Sequence, residues 1–321
     1  GNPNSDYMKW LRRETQRCWY GMVRPSDGEW ITGDMYFYLN YMPIELTEKI
    51  EGQKKAVNRV TSTPKAWEGA YLWFHYVHQA RYGGLYDWDG GKDAIQIATR
   101  GASKSFSCAS MLGKDFIVGE NENYNKKVNA FILAAEKGTL SDKDGTLKKF
   151  EACADLNAEL MQWPARRLYS SLDKMTWEMG YLDAETGLKK GTRNSVFGVT
   201  TNDNPEKARG SRAARIIYEE IGKFPKFQVA WTTNEPSVRE GKETWGQQIG
   251  IGTGGSEGSN FYGILQMLYN PRGYNIYALP NIYDKNANGK GETVFFFGAY
   301  LNRGGFYNEN GVSDVVATIL D

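Results

Sequence analysis

The sequence predicts an α/β protein built on a mostly parallel central sheet flanked by helices. Three observations carry this expectation. Short apolar runs recur along the middle of the chain: DAIQIAT, NAFILAA, NSVFGVTT, ARIIYEE and QQIGIGT. Helical patterns separate them, and that alternation is what a parallel sheet with crossover helices requires. The length, 321 residues with 40% hydrophobic and 24% charged side chains, suffices for one large domain or a core with an appended subdomain.

Taken in order, residues 1–62 hold an amphipathic segment (Tyr7 to Tyr20), a turn (RPSDGEW) and an aromatic block, WITGDMYFYLNYMPIEL. They read as an N-terminal arm packing on the core. Residues 63–262 carry the strand-like runs and form the core. The stretch from Trp163 to Lys190 shows turn signals at Pro164, Gly180 and Gly187. Residues 263–321 are less regular, with turn clusters NPRGYN and DKNANGKGE, and read as a small C-terminal lid subdomain.

Composition excludes several classes. The net charge is +1, so no bulk electrostatic pull on nucleic acid is expected. Clusters such as Arg12, Arg13 and Arg17, or Lys143, Lys148 and Lys149, read as solvated helix faces. Aromatics make up 14% of the chain, which points to a well-filled core rather than a base-stacking platform. Cys18, Cys108 and Cys153 are too scattered for a disulfide framework or a zinc site. His75 and His78 share a helical face, but no Cys or acid in their run completes a metal site. No apolar run approaches 18 residues and no secretory signal is visible, so the chain reads as cytoplasmic, with no membrane partner.

One segment carries chemistry. The strand-like run DAIQIAT leads into RGASKS and then a helical pattern, FSCASMLGKDFIVG. Strand, small-residue loop, Lys-Ser and helix form the context of a phosphate-binding P-loop. Loop N–H groups and the helix N-terminus would cradle phosphates, Lys104 would reach the β and γ phosphates of ATP, and Ser105 would serve Mg²⁺. The match departs from the strict pattern, which wants glycine at Ala98 and Ser103. A Lys-Ser after a glycine is also common by chance.

A second segment lies 115 residues further on (219 minus 104). The run ARIIYEEIGKF closes on Glu219 and Glu220. In P-loop ATPases a strand beside the first ends in an acid that holds Mg²⁺, and a following Glu polarises the attacking water. Strand alternation would send the two side chains to opposite faces. The competing reading is two solvated carboxylates at the end of an edge strand.

The order of these segments resembles the ATPase motor domain of the large terminase subunit of tailed bacteriophages. The resemblance rests on the deviant loop TRGASKS with an early Arg100, the acidic pair of ARIIYEEIGKF, the Arg-Gly element in EKARGSRAARIIYEE, the IGIGTGG segment and the block WITGDMYFYLNYMPI. It implies an ASCE-type P-loop NTPase fold and ATP and Mg²⁺ as ligands. Thr99, Arg100, Gly101, Ala102, Ser103, Lys104, Ser105 and Phe106 would form the nucleotide cradle. Ser105 and Glu219 would serve the metal, and Glu220 would be the catalytic carboxylate. Arg209, with Arg212 as its competitor, would act in trans on a neighbour's ATP. Thr253 and Gly254 would couple hydrolysis to movement. Tyr38, Asn40 and Tyr41 are candidates to flank adenine. The implied partners are double-stranded DNA, contacted transiently and without sequence preference, the portal protein and the small terminase subunit. The assembled form would be a homo-oligomeric ring, the isolated chain a monomer. The residues after about 284 are too few for the nuclease domain usual in large terminases, so no nuclease activity is expected of this polypeptide. Two alternatives stay open: another P-loop translocase or helicase, and a degenerate P-loop protein that binds without hydrolysing.

Overall fold

The computed structural model describes residues 2–48, 58–84, 88–99, 101–120, 127–201, 211–224, 226–253, 259–281 and 291–297. The chain divides into two compact units. The first comprises Gly1–Ala66, Ser105–Ala130 and Leu140–Gly198. The second comprises Trp67–Lys104, Phe131–Thr139 and Val199–Asp321. The class is the one expected: α/β, with mostly parallel strands and flanking helices.

Numbered along the chain, the main strands are β1 (Ala94–Ala98), β2 (Asn129–Ala134), β3 (Arg167–Ser171), β4 (Thr176–Met179), β5 (Ser195–Thr200), β6 (Arg215–Tyr218), β7 (Gln247–Gly252) and β8 (Phe295–Phe297). The helices used below are α1 (Asp6–Tyr20), α2 (Gly33–Tyr41), α3 (Glu68–Tyr82), α4 (Lys104–Ile117), α5 (Thr146–Glu159), α6 (Phe227–Asn234) and α7 (Ser259–Tyr269). The five runs singled out in the sequence are β1, β2, β5, β6 and β7.

In the second unit the strand order is β8-β1-β7-β6-β2, and β8, β1, β7 and β6 are parallel. This corrects two expectations. The acidic strand β6 is not the neighbour of β1, because β7 lies between them. Chain order does not dictate neighbours when every connection is a crossover that can skip a position. And Phe295–Phe297, assigned from sequence to a C-terminal subdomain, pairs with Gln96–Ala98 as the edge strand of this sheet. Three residues are too few for a periodic signal.

Helix α3 packs on one face of these strands. It ends at Gly83, whose φ of 95° a side chain would resist. The Tyr76 hydroxyl donates to the Tyr277 carbonyl at 2.6 Å, and its ring stacks on Phe295. The other face carries Tyr218, Phe224, Phe227 and Trp231 in mutual ring contact. The Tyr218 hydroxyl donates to Gln248 Oε1 at 2.7 Å and receives the Asn234 amide at 3.1 Å.

In the first unit β5, β4 and β3 form an antiparallel run, of which the sequence reading took β5 as a strand and the β3–β4 stretch only as turns. The Arg167–Ser171 strand has no fully buried residue, which leaves no alternation to detect. Helix α1 is capped by Ser5, whose hydroxyl accepts the Met8 N–H, and α2 by Thr32, which accepts the Met35 N–H. Glu14 of α1 is buried and accepts hydrogen bonds from Tyr36 (2.5 Å), Tyr41 (2.7 Å) and Arg17 (2.9 Å). Burial works to raise its carboxyl, but these donors outweigh burial and hold it below the ordinary value. Phe116, Phe150 and Trp177 continue the core edge to face.

The three cysteines are free and buried. His75 lies against Tyr71 and His78 against Tyr82 along α3. Among the described residues no helix is long and apolar enough to cross a membrane.

Candidate functional site

Parallel strands place their C-terminal ends on one edge, where α/β sheets bind ligands. In the second unit Ile97 of β1 sits opposite Gly252 of β7, and Gly250 of β7 sits opposite Tyr218 of β6. Thr99, Thr253 and Glu219 therefore continue from three adjacent parallel strands at the same edge. Two strand spacings separate the roots of the loop and of Glu219, about 10 Å.

The loop has the backbone of a cradle. Gly101 has a φ of 80°, and a Cβ added there would meet nothing within 4 Å. Ala102 is buried. Ser103 has a φ of 54°, in the left-handed region. This is one of the positions where the strict pattern wants glycine, so the conformation is kept although the residue is not. A non-glycine residue there costs roughly 1–2 kcal/mol. Lys104 then opens the 14-residue helix α4. Its ammonium donates to the carbonyls of Ala98 (3.1 Å) and Thr99 (2.8 Å), at the root of the loop. A cation and a helix N-terminus at one point suit an anion. Thr99 is exposed and Thr253 half-buried.

The acids differ in setting. Glu219 follows β6 directly; it is 5% exposed, and its N–H donates to the Leu133 carbonyl at 2.8 Å. Glu220 has a φ of 55° and starts the 3₁₀ turn Ile221–Lys223. The strand ends at Tyr218, so the expected alternation of the two side chains does not apply; the left-handed backbone at Glu220 sets its direction instead. Its carboxylate lies 3.1 Å from Lys223 Nζ, on a side chain that is 37% exposed. Non-glycine residues in the left-handed region cluster at functional sites, and Ser103 and Glu220 both lie at this edge.

Magnesium takes oxygen ligands, usually one or two carboxylates beside phosphate oxygens and water. Glu219 and Glu220 fit that mode. Among the described residues no group of three or more His, Cys, Asp or Glu is placed to hold a metal alone.

The other residues singled out in the sequence have the following settings. In the first unit, Ser105 is half-buried near the start of α4, and the Phe106 ring lies 4.9 Å from the Lys149 ammonium. Tyr41 is not available to adenine: its hydroxyl is held by Glu14, and its carbonyl accepts the Asn157 amide. Tyr38 is buried, and the Asn40 amide donates to the Tyr36 carbonyl one helical turn back. Arg212 precedes β6 and so belongs to the opposite edge of the sheet, where its guanidinium lies over Trp245, 4.5 Å from the ring centre. It is not placed to reach phosphates at the loop of its own chain. Arg100, Arg209 and Gly254 lie outside the described residues. Sequence reasoning missed Ile221, whose signal was the two bare positions Gly250 and Gly252 in an otherwise buried strand.

The second unit thus brings a lysine-bearing loop and two acidic residues to one edge of a parallel sheet. No protein-family model matches the chain, and no curated protein does. Solved structures similar to it include the large terminase ATPase domain of Thermus phage P74-26, with a TM-score of 0.44 and 15% identity over 64% of this chain and 76% of that one. The large terminase of bacteriophage HK97 gives a TM-score of 0.43 and 12% identity over 82% of this chain and 46% of that one. The large terminase of the thermophilic bacteriophage D6E, in complex with ADP, gives 0.34 and 12% over 50% and 34%. These belong to the family that the sequence motifs resemble.

Proposed function

We propose that this chain is the ATP-hydrolysing motor domain of a large terminase, translocating double-stranded DNA into a procapsid. One observation carries the reading: the loop with Lys104, the Thr253 segment and the Glu219–Glu220 pair leave one sheet edge on three adjacent parallel strands. A lysine, a buried acid and a second, half-buried carboxylate at one edge support this reading.

In this reading Thr99 to Phe106 bind the ATP phosphates, with Arg100 beside Lys104. Lys104 leaves the Ala98 and Thr99 carbonyls for phosphate oxygens. Ser105 and Glu219 hold Mg²⁺, which when bound neutralises charge on the phosphates. Glu220 accepts a hydrogen bond from water and orients it for in-line attack. Arg209 of a neighbouring subunit in a ring stabilises the developing charge, a contribution typically worth roughly 10³–10⁵ in rate. Thr253 and Gly254 relay the change at the γ-phosphate. DNA, the portal protein and the small terminase subunit are the partners, in the host cytoplasm and transiently on the procapsid.

A second reading, binding without hydrolysis, draws on the pairing of Glu220 with Lys223 and of Lys104 with its own loop. An ATPase assay with DNA and portal present separates the two. The motor reading requires turnover that Lys104→Ala abolishes; equal, near-zero rates in wild type and variant reject it. Mixing Arg209→Ala subunits with Glu220→Gln subunits tests the action in trans: recovered activity supports it, and none removes it.

A further inference from the structure

The chain leaves β6 at Glu219 and enters the 3₁₀ turn Ile221–Lys223 through Glu220. The left-handed backbone of Glu220 turns the following residues back over β7, and Ile221 lands there fully buried. The face of β7 that meets Ile221 is bare. Gln248, Gly250 and Gly252 alternate onto that face, where Gln248 holds the Tyr218 hydroxyl.

Space, not conformation, requires the two glycines. Neither has a positive φ, so alanine fits their backbone. A Cβ at Gly252 would lie 2.8 Å from Ile221 Cγ1 and 3.4 Å from the backbone nitrogens of Ile221 and Gly222. A Cβ at Gly250 would lie 3.2 Å from Ile95 Cγ1 of the loop strand, 3.4 Å from Phe227 Cζ and 3.5 Å from Ile221 Cγ2. A glycine inside a strand weakens it and often marks the close approach of another backbone. Helix α7, which follows β7 in the chain, packs on the same turn.

We propose that Ile221 is a positioning residue for Glu220, seated on the bare track of Gly250 and Gly252. The turn Ile221–Lys223 is tied to Glu220 by the next peptide bond and to the strand carrying Thr253 by this seat. Any shift of β7 moves Ile221, and with it the direction of the Glu220 carboxylate. Gly252 thereby transmits the position of Thr253 to the carboxylate without touching it. The inference rests on the water-orienting role assigned to Glu220.

Side-chain exchange tests the seat in the full chain. Gly252→Ala fills the track, Ile221→Ala vacates it, and the double variant removes the overlap with Ile221 Cγ1. Three readouts are taken: ATP turnover split into kcat and KM, the melting temperature, and hydrogen–deuterium exchange in residues 219–224. Expected for Gly252→Ala is a fall in kcat of tenfold or more with KM unchanged, a lowered melting temperature from the forced contact, and faster exchange in the turn. The double variant recovers kcat to within about threefold of wild type and slows exchange again. Unchanged kcat and exchange in Gly252→Ala overturn the seat. So do parallel losses of kcat and melting temperature without recovery in the double variant. If wild type turns over no faster than Glu220→Gln, the hydrolysis reading fails by itself. The exchange pattern then decides the seat alone: faster in Gly252→Ala and restored in the double variant upholds it, and any other pattern overturns it.

Discussion

The two edges of the second unit's sheet are built on opposite principles. At the N-terminal edge, Asp93 is fully buried and its Oδ1 takes the Arg239 guanidinium at 2.6 Å and the Gln248 N–H at 2.7 Å. Arg239 also reaches Glu235 at 3.1 Å, and the Gln247 amide donates to the carbonyls of Val77 and Lys92. Burial pushes the Asp93 carboxyl up and Arg239 pulls it back. At the C-terminal edge the Glu220 carboxylate, less deeply buried, lies beside the exposed Lys223. Surface pairs of that kind contribute about 0–1 kcal/mol. One edge thus buries its charges against each other, while the other leaves Glu220 and Lys223 in contact with water. In the proposed reading the difference separates stability from chemistry along the length of the same strands.

Substitutions at the two edges should therefore fail in different assays. The largest effect belongs to the C-terminal edge. Lys104→Ala and Glu220→Gln should each lower ATP turnover by about 100-fold or more while the melting temperature stays within a degree or two. A matching loss of melting temperature would erase the contrast between the edges. At the N-terminal edge Arg239→Met strands a buried carboxylate and should cost about 3–5 kcal/mol in chemical denaturation. Adding Asp93→Asn should return part of that loss, and turnover per folded molecule should hold. Glu14 in the first unit sharpens the rule. Its folded pKa is depressed, so its contribution is present above the ordinary glutamate value and lost as pH falls through the folded value. Melting curves across that range should be steeper in pH for wild type than for Glu14→Gln. The smallest effect is Ser103→Gly, which relieves the left-handed serine and should raise stability by up to about 1 kcal/mol, read as a shift in denaturant midpoint.

Local signals in the sequence carried far. The runs AIQIA, RIIY and QQIGIG are buried nearly end to end, so each announced a strand without reference to its neighbours. The loop was readable because strand, small residues, Lys-Ser and helix are contiguous. What escaped was non-local or conformational. That β7 separates β1 from β6 depends on which crossover skips a position, and nothing in either run records it. That the chain turns at Glu220 depends on Ile221 finding a bare strand some 30 residues later (252 minus 221). Tyr41 looked like an adenine platform because an aromatic block has the same composition whether it faces a ligand or Glu14.

The edge strand β8 has a kinetic consequence. Phe295 pairs with Gln96, 199 residues earlier (295 minus 96). Until that late segment returns, the strand that carries the loop has one flank of N–H and C=O groups open, a template for any stray strand. Pairing across so long a loop is intrinsically slow. The root of the Lys104 loop should therefore be among the last parts of the second unit to mature, and refolding should pass through a sheet that is formed but still sticky at the flank of β1.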